Sequence, residues 1–247
     1  MKILAIDTSS KICSVSILDN EKVLIQLQND DEKTHSIKLM PMVDEALTKS
    51  SLSLDNINLL ACSIGPGSFT GVRIGIATVK SFADAKNIPT IGISSLEGLA
   101  YNIICSAPNP MHLSQDSVIC SMIDAKNNQV YCGCYQLKEN RLYLVGELMA
   151  DDISVIMEKI NTFSSFTHFY FIGDGALMHQ DFISQNLVQK SSSTFLAPSY
   201  SLANSCSIAR LAYLYYQDGS FATSLSPLYL RKSQAERMLE EKEKKNT

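Results

Sequence analysis

The run Gly65-Pro66-Gly67-Ser68-Phe69-Thr70-Gly71-Val72-Arg73-Ile74-Gly75 stands between an apolar stretch, Ile57 to Ile64, and a long apolar segment reaching Ala85. A short apolar stretch closed by a glycine-proline turn reads as a strand, and the longer segment reads as a helix over 68–86. Ser68 or Thr70 is placed to cap that helix by accepting bonds from its free amides. Glycines ahead of a helix N-terminus can bring backbone amides up to a phosphate. The Gly-Lys-Ser/Thr ending of a phosphate loop is missing, however. Gly67, Gly71 and Gly75 recur every four residues, which lays a smooth stripe along one helix face. That stripe favours close packing of another helix over anion binding.

Outward from this junction the first third alternates cleanly. Lys2 to Thr8 reads as an apolar strand ending at Asp7. Cys13, Val15 and Ile17 alternate with Ser14 and Ser16, so one strand face is apolar and the other polar. Val23 to Gln28 repeats this after the turn Asp19-Asn20-Glu21, and a helix follows over Thr34 to Lys49. With a strand at 57–64, the helix at 68–86 and a strand at Thr90 to Ile93, the order is that of a ribonuclease-H-like unit. The pattern then recurs: strands at Val118–Asp124, Gln129–Gln136 and Arg141–Leu148, a helix at Asp151–Ile160, a strand at Phe169–Ile172, a helix at Ala176–Val188 and a strand at Phe195–Ala197. A shift of 117 lays Asp7 on Asp124, Cys13 on Val130 and Val15 on Cys132. A repeat this long predicts two duplicated α/β lobes. We place them at 1–105 and 106–225, parted near Pro108 and Pro110. The helix Ser201–Tyr216 crosses back toward the first lobe, and 226–247 forms a charged tail.

Composition bounds the function. The chain has 247 residues, 45% hydrophobic and 19% charged, with net charge −4. No basic stripe is visible for gripping nucleic acid unaided. No apolar run reaches the ~18 residues of a membrane span, and an acid at position 7 is too early for a signal peptide, so a cytoplasmic protein is expected. Seven cysteines, most of them in apolar strands, suit reduced thiols better than disulfides. Cys132 and Cys134 lack a second ligand pair, and no metal site is expected. The four histidines form no Ser-His-Asp or Cys-His constellation.

Two lobes with an acid at the end of each first strand describe the actin, hexokinase and Hsp70 class of ATPases. Asp7-Thr8-Ser9-Ser10 then reads as a phosphate loop and Gly173-Asp174-Gly175 as a base-side turn, each with a plain structural alternative as a capped turn. In the helix 34–49, Leu39, Met42 and Ala46 share one face while Met40, Val43 and Leu47 share another. Two apolar stripes suggest cover from both sides, against the simpler reading of one wide core face.

The GPGSFTGVRIG run and the N-terminal AIDTSS resemble the TsaB (YeaZ) family, the non-catalytic paralogues of the TsaD transferases. Asp124-Ala125 ahead of Gln129-Val130-Tyr131, and Pro227-Leu228-Tyr229-Leu230-Arg231 before Ala235-Glu236, strengthen the likeness over nearly the full length. The resemblance implies an actin-like ATPase fold and a scaffold role in bacterial tRNA threonylcarbamoyladenosine synthesis. It implies a heterodimer with TsaD, recruitment of the ATPase TsaE, a homodimer when alone, and tRNA met only through the complex. The transferases carry His-Met-Glu-Gly-His. Here the matching residues are Ser95-Leu96-Glu97-Gly98-Leu99, so both metal-ligand positions are lost and no cofactor is expected. The expected partner surface is His35, Leu39, Met42, Val43 and Ala46 with Phe69, Thr70, Gly71, Arg73, Gly75 and Ile76. A residual nucleotide site would comprise Asp7, Thr8, Ser9, Ser10, Asp124, Gly173 and Gly175. The competing reading is a small ATPase or kinase using Asp7 and Asp124 with Mg²⁺.

Overall fold

Alternating apolar residues build the first sheet. Strands β1 (Lys2–Asp7), β2 (Cys13–Asp19) and β3 (Lys22–Asn29) form an antiparallel meander, and β4 (Leu59–Ser63) and β5 (Thr90–Ile93) add to β1 in parallel. The strand order is β3-β2-β1-β4-β5. Helices α1 (His35–Lys49) and α2 (Phe69–Lys86) provide the crossovers. They cover one face, where Leu4, Ile6, Cys13, Val15 and Ile17 meet Leu39, Val43, Val72 and Ile76. The computed structural model describes residues 1–30, 35–105, 113–188, 191–219 and 225–231. The proline-bearing link at 106–112 and the charged run at 236–245 lie outside the described residues.

The second sheet repeats the plan. Strands β6 (Ser117–Asp124), β7 (Gln129–Lys138), β8 (Arg141–Leu144), β9 (Met149–Asp152), β10 (His168–Ile172) and β11 (Ser192–Phe195) give the order β11-β10-β6-β7-β8, with β9 beside β7. Helices α4 (Ile153–Ile160), α5 (Asp174–Met178) and α6 (Gln180–Asn186) cover one face. The duplicated α/β architecture is therefore as the sequence implies. Several boundaries move. The helix expected over 176–188 is two short helices separated at His179, and the strand expected at 141–148 ends at Leu144. Asp152 ends β9 and caps α4 by accepting from the Ser154 amide, which delays that helix to Ile153.

Two helices are exchanged between the lobes. Helix α3 (Ser95–Cys105) leaves the first sheet and packs on the second, with Leu96, Leu99 and Ile103 beside Ile119 and Ile172. Helix α7 (Ser205–Gln217) leaves the second lobe and covers the first sheet through Ile208, Leu211 and Ala212. This explains a departure from the alternation rule. The serine face of β2, which its polarity would leave in solvent, is buried: Ser14 and Ser16 are both 0% exposed. Ser14 Oγ lies 2.8 Å from Ser205 Oγ and accepts from the Ser205 amide. Asn102 ties the exchange together. Its amide nitrogen donates to the carbonyls of Tyr200 (2.8 Å) and Leu202 (2.9 Å), and its oxygen accepts from Ser207 Oγ.

The internal repeat carries a one-residue offset. A shift of 117 matches Val15 to Cys132, and both point into the α1/α2-type cores. On the first strands it fails. Leu4 and Ile6 face the α1/α2 core, and their counterparts by face are Cys120 and Met122, a shift of 116. Asp7 thus shares a face with Ile3 and Ala5 and corresponds to Ile123, whereas Asp124 lies on the opposite face of its strand. Side chains alternate along a strand, so one residue of slip reverses the face. The expected symmetry of Asp7 and Asp124 is not present.

Candidate functional site

The end of β1 is a closed turn. Asp7 is 4% exposed. Its Oδ1 accepts from the Ser9 amide (3.0 Å), Ser9 Oγ (2.7 Å) and Ser63 Oγ (2.5 Å). Thr8 Oγ1 donates to the carbonyl of Gly71 at 2.8 Å, and the Ser68 amide donates to the carbonyl of Ser9 at 2.7 Å. Ser68, rather than Thr70, caps α2 by accepting from the Gly71 amide. The glycine stripe lies against this turn. A Cβ added at Gly67 would sit 2.2 Å from Ser9 O, and one at Gly71 would sit 2.0 Å from Thr8 O. The stripe is a packing surface, but for the chain's own β1–β2 turn and not for another molecule. His35 holds the same turn, with Nε2 at 2.8 Å from Ser10 O, while its buried Nδ1 has no partner among the described residues.

The end of β6 faces it. Asp124 Oδ2 pairs with Lys126 Nζ at 2.6 Å, and Oδ1 accepts the Lys126 amide. Burial works against ionisation of Asp124, but the bonds from Lys126 outweigh it and hold the carboxyl below its ordinary range. Asp174 Oδ1 accepts from the amides of Asp124 and Gly175. Gly173 has φ +114°, and a Cβ there would lie 2.0 Å from Met122 O. The glycine turn 173–175, which follows β10, therefore closes on the end of the neighbouring strand β6. Between the two strand ends opens a cavity of about 950 Å³, lined by Ser10, His35, Phe69, Asp124, Lys126 and Asp174 among others. That volume suits a small organic ligand. Among the described residues, no group of three or more His, Cys, Asp or Glu is arranged to hold a metal. All three bonds of Asp7 are to Oδ1, two from Ser9 within the turn and one from Ser63 at the end of β4, so the carboxylate ties the β1–β2 turn to β4.

The segment 228–231, which the sequence assigns to a charged tail, closes one side of the cavity. Leu225 is buried in the first core, and the Leu228 amide donates to the carbonyl of Ile64 at 2.7 Å. The Tyr229 ring stacks on Phe69 at 4.6 Å, and its hydroxyl accepts from Arg73 Nε at 2.7 Å. The Arg73 guanidinium lies 4.3 Å from the Phe69 ring centre. Leu230 then packs with the second lobe, and Arg231 Nη1 donates to Ala125 O at 3.2 Å. Residues 225–231 therefore cross from one lobe to the other. Nothing in the spacing links positions 73 and 229, so Arg73 could not be assigned to this stack from sequence.

The residues expected to form a partner surface divide. His35, Leu39, Met42, Val43, Ala46, Gly71, Gly75 and Ile76 are all buried within the chain and cannot form a contact face. They serve its own core, as one wide apolar face of α1 demands. Thr70 and Arg73 are exposed and Phe69 is half-buried. Helix α1 instead presents Ile37 (68% exposed) and Met40 (49% exposed). Val43 belongs with the inner stripe, so the doubly apolar helix reduces to these two outward residues.

The family model described as "TsaD: tRNA N6-adenosine threonylcarbamoyltransferase" matches residues 28–238. A tRNA threonylcarbamoyladenosine biosynthesis protein TsaB from Bacillus subtilis is 34% identical over 163 residues, covering 64% of this chain and 67% of that protein. The TsaB protein of Haemophilus influenzae is 29% identical over 94% of both chains. Among solved structures, YeaZ from Pseudomonas aeruginosa superposes with a TM-score of 0.73 at 25% identity, covering 93% of this chain and 99% of that one. A ROK hexokinase from Thermus thermophilus shares the fold, with a TM-score of 0.53 at 11% identity over 89% of this chain and all of that one.

Proposed function

Since this chain belongs to the TsaB branch of the TsaD family, we propose that it serves tRNA threonylcarbamoyladenosine biosynthesis as a non-catalytic, cytoplasmic scaffold that binds and activates TsaD and helps to recruit the ATPase TsaE. The observation that carries the non-catalytic part is the interior of α3. At the position of the transferases' second metal-binding histidine stands Leu99, 8% exposed and packed with Ile119, Ile172 and Leu196. An aliphatic side chain in a closed core cannot ligate a metal. The first position is Ser95, also buried. The chain then needs no cofactor of its own and meets tRNA only within the complex.

The exposed pair Ile37 and Met40 on α1, with the exposed Thr70 and Arg73 of α2, is the surface we assign to TsaD, and to a second copy when TsaD is absent. Two exposed apolar side chains on one helix, with the exposed Ser36 and Lys38 beside them in the chain, suit an interface better than solvent. The test is co-purification with TsaD of the wild type and of the double variant Ile37→Glu, Met40→Glu. Loss of the complex with an unchanged melting temperature is expected, and normal co-elution would refute this surface. Reconstitution of tRNA modification by TsaD and TsaE, with and without the chain, tests the scaffold role, and stimulation without intrinsic transfer is the expected result. The kinase reading rests on Asp7 and Asp124. Micromolar ATP affinity of the isolated chain, abolished by Asp7→Ala, would establish it instead.

A further inference from the structure

Polar segments of both lobes meet behind the β1–β2 turn. Asp7 and Ser10 come from the first lobe, Ser95 from the start of α3, and Asp174 and Ser201 from the second lobe, and they line a cavity of about 30 Å³. Leu99 supplies part of its apolar side. Ser10 and Asp174 also line the 950 Å³ cavity, so the smaller space adjoins the larger one. Asp7 lines only the smaller.

The carboxylate of Asp7 is only half satisfied. Its Oδ1 accepts three hydrogen bonds, whereas its Oδ2 accepts none among the described residues. The residue is only 4% exposed. A carboxylate oxygen removed from bulk water without a hydrogen bond is costly to maintain. Ser95 Oγ is unpartnered too, but it is sealed from contact with water; Asp7 Oδ2 is not. No lysine or arginine lines the space, so the Asp7 charge there depends on hydrogen bonds.

Size and chemistry select the occupant. Space of ~10–15 Å³ holds one water, so about 30 Å³ holds one or two and excludes an organic ligand. Cavities of this size stay dry when their walls are apolar, but most residues here carry a hydroxyl, carboxylate or amide. Partners for a water are in place. Ser10 Oγ already accepts from the Ile12 amide (3.1 Å) and Ser201 Oγ from the Gly173 amide (3.0 Å), so each hydroxyl keeps its proton to donate. A water that donates to Asp7 Oδ2 has a second proton and its lone pairs left for these neighbours.

We propose that an ordered water occupies this cavity, donating to Asp7 Oδ2 and bridging the β1–β2 turn of the first lobe to the wall that Asp174 and Ser201 form in the second. It acts as a joint between the lobes beside the larger cavity. Ser95 and Leu99, both on its wall, are the positions compared above with the transferases' metal-binding histidines. That comparison rests on the TsaB reading and adds that water stands where those relatives hold a metal; the water site itself does not depend on it.

The test is a high-resolution crystal structure of the full chain, together with oxygen-17 magnetic relaxation dispersion, which counts long-lived internal waters in solution. Density for an isolated atom ~2.5–3.0 Å from Asp7 Oδ2, with a second contact in the other lobe, is expected. Leu99→Phe pushes a larger ring into the same space and should abolish that density and lower the dispersion count relative to wild type. A featureless cavity in the wild type would overturn the proposal, whether or not the variant folds. So would an atom ~2.0–2.6 Å from Asp7 Oδ2 with further oxygens around it, the geometry of bound Mg²⁺ or Ca²⁺. An undiminished count in folded Leu99→Phe would also overturn it. None of these outcomes bears on TsaD binding, which the Ile37→Glu, Met40→Glu variant tests separately.

Discussion

The glycine stripe of α2 gives the sharpest test of the packing described above. Replacing Gly71 by alanine sets a methyl 2.0 Å from the carbonyl oxygen of Thr8. That oxygen belongs to backbone fixed by β1 and by the bonds of Asp7, so it cannot rotate away as a flexible side chain would. Forcing the elements apart costs ~1–3 kcal/mol for one added methyl, and a clash with backbone belongs at the upper end. The same displacement lengthens the 2.8 Å bond from Thr8 Oγ1 to Gly71 O, worth ~1 kcal/mol. Alanine returns ~1 kcal/mol through its better helix propensity. The net loss is about 3 kcal/mol, or roughly 6–12 °C in melting temperature for a chain of this size. Gly75→Ala meets the Thr8 hydroxyl, 2.5 Å away on a side chain that can turn, and should lose less. Thermal unfolding of both variants by circular dichroism makes the comparison. A Gly71→Ala protein as stable as wild type would refute the claim that the stripe seats the β1–β2 turn. It would also restore the view of the stripe as a free surface. Gly71→Leu is, on the same geometry, a folding defect and cannot report on partner binding.

Further outcomes follow from other contacts. Burial raises Glu97 to about 7, while the hydrogen bond from Tyr215 works in the opposite direction. The folded state thus holds this proton more tightly than the unfolded state does. The penalty for ionisation grows as pH rises from about 4.5 to 7, so Glu97→Gln should raise the melting temperature at pH 8 but not at pH 4; equal gains at both would contradict it. Asn102→Ala leaves the carbonyls of Tyr200 and Leu202 and the Ser207 hydroxyl without their partner, and should cost roughly 2–4 kcal/mol in urea unfolding. Tyr229→Ala removes an exposed stack and a hydrogen bond. It should cost about 1 kcal/mol yet speed hydrogen exchange at the Leu228 amide, which marks the crossing of 225–231 between the lobes. Exchange unchanged at Leu228 would mean that Tyr229 does not hold the segment.

Local pattern determined a great deal of this protein. The alternation in 13–17, the turn at 65–67 and the capped helix after it were legible because they depend on neighbours in the chain. The β-β-β-α-β-α-β element order of the two halves was legible in the same way, although β9, which pairs with β7, was not. That positions 95 and 99 hold serine and leucine is plain from the sequence, but its bearing on metal binding comes from the resemblance to the transferases and not from residue type. Tertiary structure decided which surfaces are inside. Exchange of α3 and α7 between the lobes buried the serine face of β2, which its polarity had marked for solvent. The β1–β2 turn claimed the glycine stripe, and the core claimed the inner face of α1. A one-residue difference in the first strands separated Asp7 from Asp124, because a strand reverses its face at every residue. Arg73 met Tyr229 through a contact between distant segments. Sequence fixes what each residue can do, whereas burial and long-range contact depend on which elements come to lie beside it.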